Sequence, residues 1–275
     1  MNCIVQLPEN RPALMGIVNV TPDSFSDGGV HFRAEDAIAA GLRMVEEGAD
    51  LVDVGGESTR PGAAAVAAEE ELRRVVPVVE ALARQGVAVS IDTMKPEVAR
   101  AALDAGAKIV NDVTAFSNPE MARIAAGTGC TVCLMHMKGD PRTMQENPVY
   151  GDIVAEIRDY LVERAAFAEG HGVARETIWI DPGIGFGKTV RHNLLLLKRL
   201  EVFVETGYPV LVGVSRKSFI GRLLNPENPV PVEERLEGTL AAQVIAQTKG
   251  ARILRVHDVK PARRAIEIVA AIEGV

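Results

Sequence analysis

Cysteines, aromatic residues and long apolar runs are all scarce in this chain. Three cysteines in 275 residues, an odd number, make no disulfide framework. Cys3 stands alone, and the CxxC spacing of Cys130 and Cys133 falls inside an apolar run, CTVCLM. Residues three apart on a strand point to opposite faces, so this pair cannot share a metal. Both read as small core side chains in a reducing cytoplasm. No stretch approaches the roughly 20 apolar residues that span a bilayer. Residues 1–12 lack the basic-then-apolar order of a secretory signal. The expectation is a cytoplasmic protein without a membrane segment. Excess positive charge is absent too: the net charge is −7, which offers no overall field for nucleic acid or an anionic membrane. An anionic ligand would need cations supplied locally. With no HExxH, histidine cluster or paired-cysteine site, a metal would have to be a hard, largely hydrated cation such as Mg²⁺.

What is present is one event repeated eight times: a short apolar run, a polar residue, an irregular loop, then an amphipathic stretch. The runs are 14–18 ending at Asn19, 51–54 at Glu57, 87–91 at Asp92, 108–110 at Asn111, 131–135 at His136, 178–180 at Asp181, 210–214 at Ser215, Arg216 and Lys217, and 253–254 at Arg255 and His257. Eight strand–helix units predict a single (β/α)₈ TIM barrel over 1–275, with these polar residues ringing one pocket at the strand C-termini. Helical patterns fill 34–47, 69–84, 96–105, 119–126, 150–169, 191–205, 233–249 and 261–272. Gly48, Gly86, Gly106, Gly127 and Gly250 are placed as left-handed caps. Pro96, Pro119 and Pro261 fit first helical turns. Three connections are longer than tight turns: 21–33, 58–68 and 137–149. On a barrel rim such loops are lids or substrate-contacting segments, with surface padding an alternative for the third.

Residues 181–188, DPGIGFGK, form the loudest local motif. Its alternating glycines let backbone approach a flat ligand or an anion. A tight turn with Asp181 as a cap is the competing reading. It is neither a P-loop, because Pro182 stands where glycine is required, nor a dinucleotide fingerprint, because Lys188 breaks that pattern. Asp92, Asn111 and Asp181 end three strands. Together they suit a ligand edge with several N–H donors and a carbonyl or ring nitrogen, as an aminopyrimidinone has. Lys217, Arg255 and His257 end the last two strands, where barrels often bind phosphate, and Arg60 could reach them. His136 reads as a satisfied core histidine. Gly- and Ala-rich 238–246 and apolar 266–272 suit either a helix-packed dimer or packing onto the barrel.

These motifs together resemble bacterial dihydropteroate synthases. The resemblance runs the length of the chain through residues 19–29, 53–62, 90–93, 111–112, 134–137, 181–188, 215–218 and 255–258. It implies a folate-pathway transferase in which p-aminobenzoate displaces pyrophosphate from a dihydropterin-methyl diphosphate, with Mg²⁺ as cofactor, sulfonamides as inhibitors and a homodimeric assembly. Asp92, Asn111, Asp181, Lys217 and Arg255 correspond to the pterin-binding set. Asn19, Thr59, Arg60, Arg255 and His257 correspond to the diphosphate end, with Asn19 on the metal. Phe25, Asp27, Thr59, Pro61, Phe186, Lys217 and Ser218 correspond to the aminobenzoate pocket. Arg60, Lys217, Arg255 and His257 carry the catalytic charge. Methyltetrahydrofolate-dependent methyltransferases share the Asp/Asn edge, but the first-loop motif and the diphosphate cations set this chain apart from them. A catalytically silent pterin-binding paralogue is the other alternative.

Overall fold

The computed structural model describes residues 5–21, 34–58, 63–139 and 143–275. Eight parallel strands are β1 (Ala13–Asn19), β2 (Leu51–Gly55), β3 (Val89–Asp92), β4 (Ile109–Asp112), β5 (Thr131–Met135), β6 (Ile178–Asp181), β7 (Leu211–Val212) and β8 (Ile253–Val256). They pair in the order β6-β5-β4-β3-β2-β1-β8-β7. A parallel bridge between Ile180 and Val210 closes the ring. The expected (β/α)₈ barrel is therefore what the chain forms. The outer helices are α1 (Ala34–Glu46), α2 (Ala68–Arg84), α3 (Pro96–Asp104), α4 (Pro119–Thr128), α5 (Ile153–Gly170), α6 (Val190–Lys198), α7 (Glu201–Val204), α8 (Ser218–Leu224), α9 (Leu236–Thr248) and α10 (Val259–Glu273).

The core has two parts, separated by strand parity. Residues such as Val52, Val54, Val132 and Ile180 face outward and pack beneath the helices. Ala13, Met15, Leu51, Ile109, Cys133, Trp179, Leu211 and Ile253 form a plug inside the barrel. Cys130 belongs to the outer layer and Cys133 to the plug, so the two thiols do face apart. Period-2 alternation then dictates the layer above the plug. Two residues beyond Leu51, Ile109, Trp179 and Ile253 come Asp53, Asn111, Asp181 and Arg255. The polar site is thus the next inward layer of the same strands.

Several boundaries differ from the sequence pattern. Gly127, the ninth residue of α4, is helical rather than a cap. The helix runs on to Thr128, whose hydroxyl bonds back to Ile124 O at 2.8 Å, and Gly129 takes the left-handed position at φ 65°. The pattern at 191–205 divides into α6 and α7. α5 begins at Ile153, because the Asp152 carboxylate caps the amides of Val154 and Ala155. Helix α8 was not read from the sequence at all. Among the described residues no helix is long and apolar enough to cross a membrane.

Candidate active site

Asp92, Asn111, Asp181, Phe186, Lys217, Arg255 and His257 line one cavity at the C-terminal mouth of the barrel. They come from five different strands and the loops that follow, so only the closed barrel assembles them. At the acidic end the Arg255 guanidinium is shared between two carboxylates. Its Nε lies 2.6 Å from Asp53 Oδ2 and its Nη2 lies 2.8 Å from Asp92 Oδ2. Asn111 Nδ2 also donates to Asp53 Oδ2, at 3.1 Å. Asp53 is fully buried. Burial pushes the Asp92 carboxyl up to about 7, against the lowering effect of Arg255 and with the reinforcement of Asp53. Asp181 is also raised by burial, opposed first by Lys217.

Asp53 is a functional residue that sequence reasoning passed over. The second strand was expected to contribute Glu57 to the ring, and it does not. β2 ends at Gly55, the chain turns, and Glu57 joins Lys95 and the buried Glu71 in an ion cluster outside the pocket. The available signal was parity: Asp53 is a charge within an apolar run, two residues past an inward leucine. His136 is also outside the ring, on the outward parity from Cys133 and Met135. It packs edge-on against Tyr160, with ring centroids 5.0 Å apart. Its Nδ1 sits 3.0 Å from Lys188 Nζ. Burial and the neighbouring ammonium hold His136 down to about 3, so it is the neutral core histidine expected.

The glycine loop combines the two readings of its sequence. Gly183, Gly185 and Gly187 all have positive φ. A Cβ on Gly183 would lie 1.9 Å from the His136 carbonyl oxygen. Asp181 Oδ1 does cap the turn by accepting from Gly183 N at 2.7 Å. Its buried position beside Lys217 still leaves it facing the cavity. Lys188 is buried and donates to Phe186 O and His136 O, and Thr189 caps α6. The Gly-Lys-Thr sequence therefore has no phosphate-loop geometry.

At the other end, Lys217 Nζ lies 4.5 Å over the Phe186 ring and bonds the Ile184 carbonyl. Burial pulls its ammonium down to about 8 while Asp181 opposes the change. His257 N donates to Ser215 Oγ at 3.1 Å, and its Nδ1 lies 3.0 Å from the same hydroxyl. The side chain of Arg216 instead turns away, pairing with Asp258. Ser218 is the exposed first residue of α8 and does not line the cavity. Asn19 ends β1, half-buried. Phe25, Asp27, Thr59, Arg60 and Pro61 lie outside the described residues.

The chain matches the family model described as pterin binding enzyme over residues 15–257. It is 53% identical over 263 residues to a dihydropteroate synthase of Escherichia coli (strain K12), covering 95% of this chain and 92% of that one. Among solved structures it resembles a Xanthomonas albilineans dihydropteroate synthase with 4-aminobenzoic acid, at 50% identity and TM-score 0.90, covering 96% of this chain and 94% of that one. It also resembles a Yersinia pestis dihydropteroate synthase in a sulfonamide drug complex, at 47% identity and TM-score 0.91, covering 96% and 95%.

Proposed function

Because the chain belongs to the dihydropteroate synthase family of pterin-binding enzymes, we propose that its pocket joins 7,8-dihydropterin-6-ylmethyl diphosphate to p-aminobenzoate. The arylamine nitrogen forms a bond to the pterin methylene. The methylene C–O bond breaks, its electron pair leaves with pyrophosphate, and the amine loses a proton. An arylamine is already nucleophilic, so the reaction needs no strong base. It needs stabilisation of charge on the leaving group and orientation of the two partners.

The carrying observation is the polarity of the cavity at the barrel mouth. Asp92, Asn111 and Asp181 line it with acceptors and an amide, with Arg255 among the carboxylates, while Lys217 and His257 bring cationic or protonatable groups to the other end. The carboxylates suit the amino and ring N–H groups of a pterin edge. Phe186 beneath Lys217 makes a shelf for an aromatic acid: the ring stacks, and the ammonium faces the carboxylate. Arg60 and His257 are proposed at the diphosphate, and Phe25, Asp27, Thr59 and Pro61 around the aminobenzoate.

Mg²⁺ is proposed as cofactor. Among the described residues the Asn19 side-chain amide has no hydrogen bond, and no group of three His, Cys, Asp or Glu side chains could hold a metal ion. A single free amide oxygen fits a hard cation that keeps most of its water and shares the substrate phosphates. When bound, the ion supplies charge neutralisation to departing pyrophosphate. We further propose that sulfonamides compete for the aminobenzoate position, that the protein acts in the cytoplasm, and that it is a homodimer. Exposed Ile245 on α9 and Ile268 and Ile272 on α10 support the last reading.

A single-turnover assay with the pterin diphosphate and p-aminobenzoate tests the function. Dihydropteroate and pyrophosphate are expected in equal amounts, with the yield suppressed by EDTA. Absence of product with intact pterin binding would identify a silent paralogue instead.

A further inference from the structure

Four consecutive carbonyls in the loop after β6 each accept one side-chain hydrogen bond, and the donors come from separate places. Lys217 Nζ reaches Ile184 O. Gln145 Nε2 reaches Gly185 O at 2.6 Å. Lys188 Nζ reaches Phe186 O at 2.8 Å. The Tyr150 hydroxyl reaches Gly187 O at 2.9 Å. The amides are held as well: Gly185 N donates to Asn193 Oδ1 at 2.7 Å, and Phe186 N to Gly183 O at 3.1 Å. Three glycines at positive φ give this segment many alternative conformations, so side-chain bonds must select one.

Two of the four donors, Lys217 and Lys188, belong to the pocket or to the loop itself. Gln145 and Tyr150 belong to neither. They come from the connection between β5 and α5, none of whose described residues lines the cavity. This is the long loop that the sequence left open to a reading as surface padding. Gln145 is exposed, yet its amide bonds the loop rather than water alone. Two neighbours hold the Tyr150 ring. Lys138 Nζ lies 4.1 Å from its centroid, and the His192 ring meets it edge-on at 5.1 Å. The two acceptors, Gly185 O and Gly187 O, flank Phe186.

We propose that Gln145 and Tyr150 are positioning residues for the second substrate: by gripping the backbone on either side of Phe186, they set where its ring stands to receive the aromatic acid. This rests on the reading of the pocket given above. It separates from pterin binding because Asp92 and Asn111 stand on β3 and β4, and Asp181 meets the loop at Gly183, ahead of the two gripped carbonyls.

The test uses Gln145→Met and Tyr150→Phe, which keep the bulk of each side chain and delete only the donor. At saturating pterin diphosphate, each variant should raise the KM for p-aminobenzoate about fivefold, and the double variant about 25-fold, as loss of one and two ordinary hydrogen bonds implies. The Kd for pterin diphosphate, read by calorimetry, should stay within about twofold, the spread of a single weak interaction. A purely structural role would lower Tm in both variants without this split between substrates. An unchanged aminobenzoate KM in the double variant, or an equal loss of pterin affinity, overturns the proposal. Wild-type protein that fails to join the two substrates would instead overturn the reading of the pocket itself.

Discussion

Arg255 and Asp53 meet inside the barrel, Nε to Oδ2 at 2.6 Å, and this contact fixes where the guanidinium can stand. The same carboxylate oxygen accepts from Asn111, so one buried aspartate orients two residues of the pterin edge. Its second oxygen, Oδ1, has no partner and is shielded from solvent. Removing Asp53 leaves Arg255 with only Asp92 and strands the Asn111 amide. We expect Asp53→Ala to lower the unfolding free energy by about 3–5 kcal/mol, the range for breaking a buried ion pair by deleting one partner. Asp53→Asn, which keeps the shape, should cost less. Urea denaturation of the two variants and the wild type checks the order, and an Asp53→Asn variant as stable as the wild type would mean that the charge on Asp53 contributes nothing.

Turnover should follow a narrow bell in pH. Asp92 must be ionised to accept from a pterin edge, and burial holds it protonated up to about 7. Lys217 must be charged to meet a carboxylate, and burial releases its proton from about 8. Pterin affinity should therefore rise toward pH 7 with release of a proton, and kcat/KM should fall above pH 8. The stability of the free protein runs the other way. Folded Asp92 keeps a proton that the unfolded chain loses near the ordinary value of 3.8, so stability declines as pH rises from about 4 to 7. Calorimetry of pterin binding in buffers of different ionisation enthalpy measures the proton. A pH-independent affinity from 5 to 8 would sink the assignment of Asp92.

His136 contributes with the opposite sign. It is held neutral down to about 3 in the folded protein, against 6.5 ordinarily. The unfolded chain then binds the extra proton between those values, and stability falls as pH drops through that window. His136→Gln keeps a potential acceptor for Lys188 and removes the titration. Its Tm should vary less between pH 6.5 and 4 than that of the wild type. An identical acid limb in the two proteins would exclude His136 as its source.

The barrel was legible because its pattern is redundant. Eight apolar runs with polar ends specify a closed parallel sheet even when single boundaries drift. The pterin edge was legible for a related reason: Asp92, Asn111 and Asp181 each sit on the inward parity of a strand. Where a polar residue ended a run on the outward parity, as His136 does, the ring assignment failed. It failed at Glu57 because the strand stops at Gly55, and an ion cluster with Lys95 and Glu71 then takes the side chain. Helix α8 left no clear trace: seven residues carry under two turns of periodicity, and Ser215 to Lys217 read as a strand end. The bonds that Gln145 and Tyr150 make to the glycine loop depend on tertiary contacts some 40 residues apart, which no local pattern encodes.

Ser215 and Lys217 both reach the cavity because of the turn at Arg216 between them. Were the strand to continue, alternation would place Ser215 and Lys217 on one side, but β7 ends at Val212. Instead Arg216 adopts φ 56°, a left-handed conformation, and this swings its two neighbours to the pocket side. The conformation costs a non-glycine residue about 1–2 kcal/mol. Three contacts hold it: Arg216 N donates to Thr239 Oγ1 at 3.0 Å, Arg235 Nη1 donates to Arg216 O at 3.0 Å, and the guanidinium pairs with Asp258. The residue matters, then, for its backbone rather than as a cation for the diphosphate. Arg216→Gly supplies the left-handed turn without strain and should keep kcat/KM within about threefold. Arg216→Val, β-branched and poorly suited to positive φ, should lose about tenfold or more while retaining pterin affinity. Steady-state kinetics of the two variants decides between the roles. An inactive glycine variant beside an active valine one would show that the side chain, not the turn, is what the site requires.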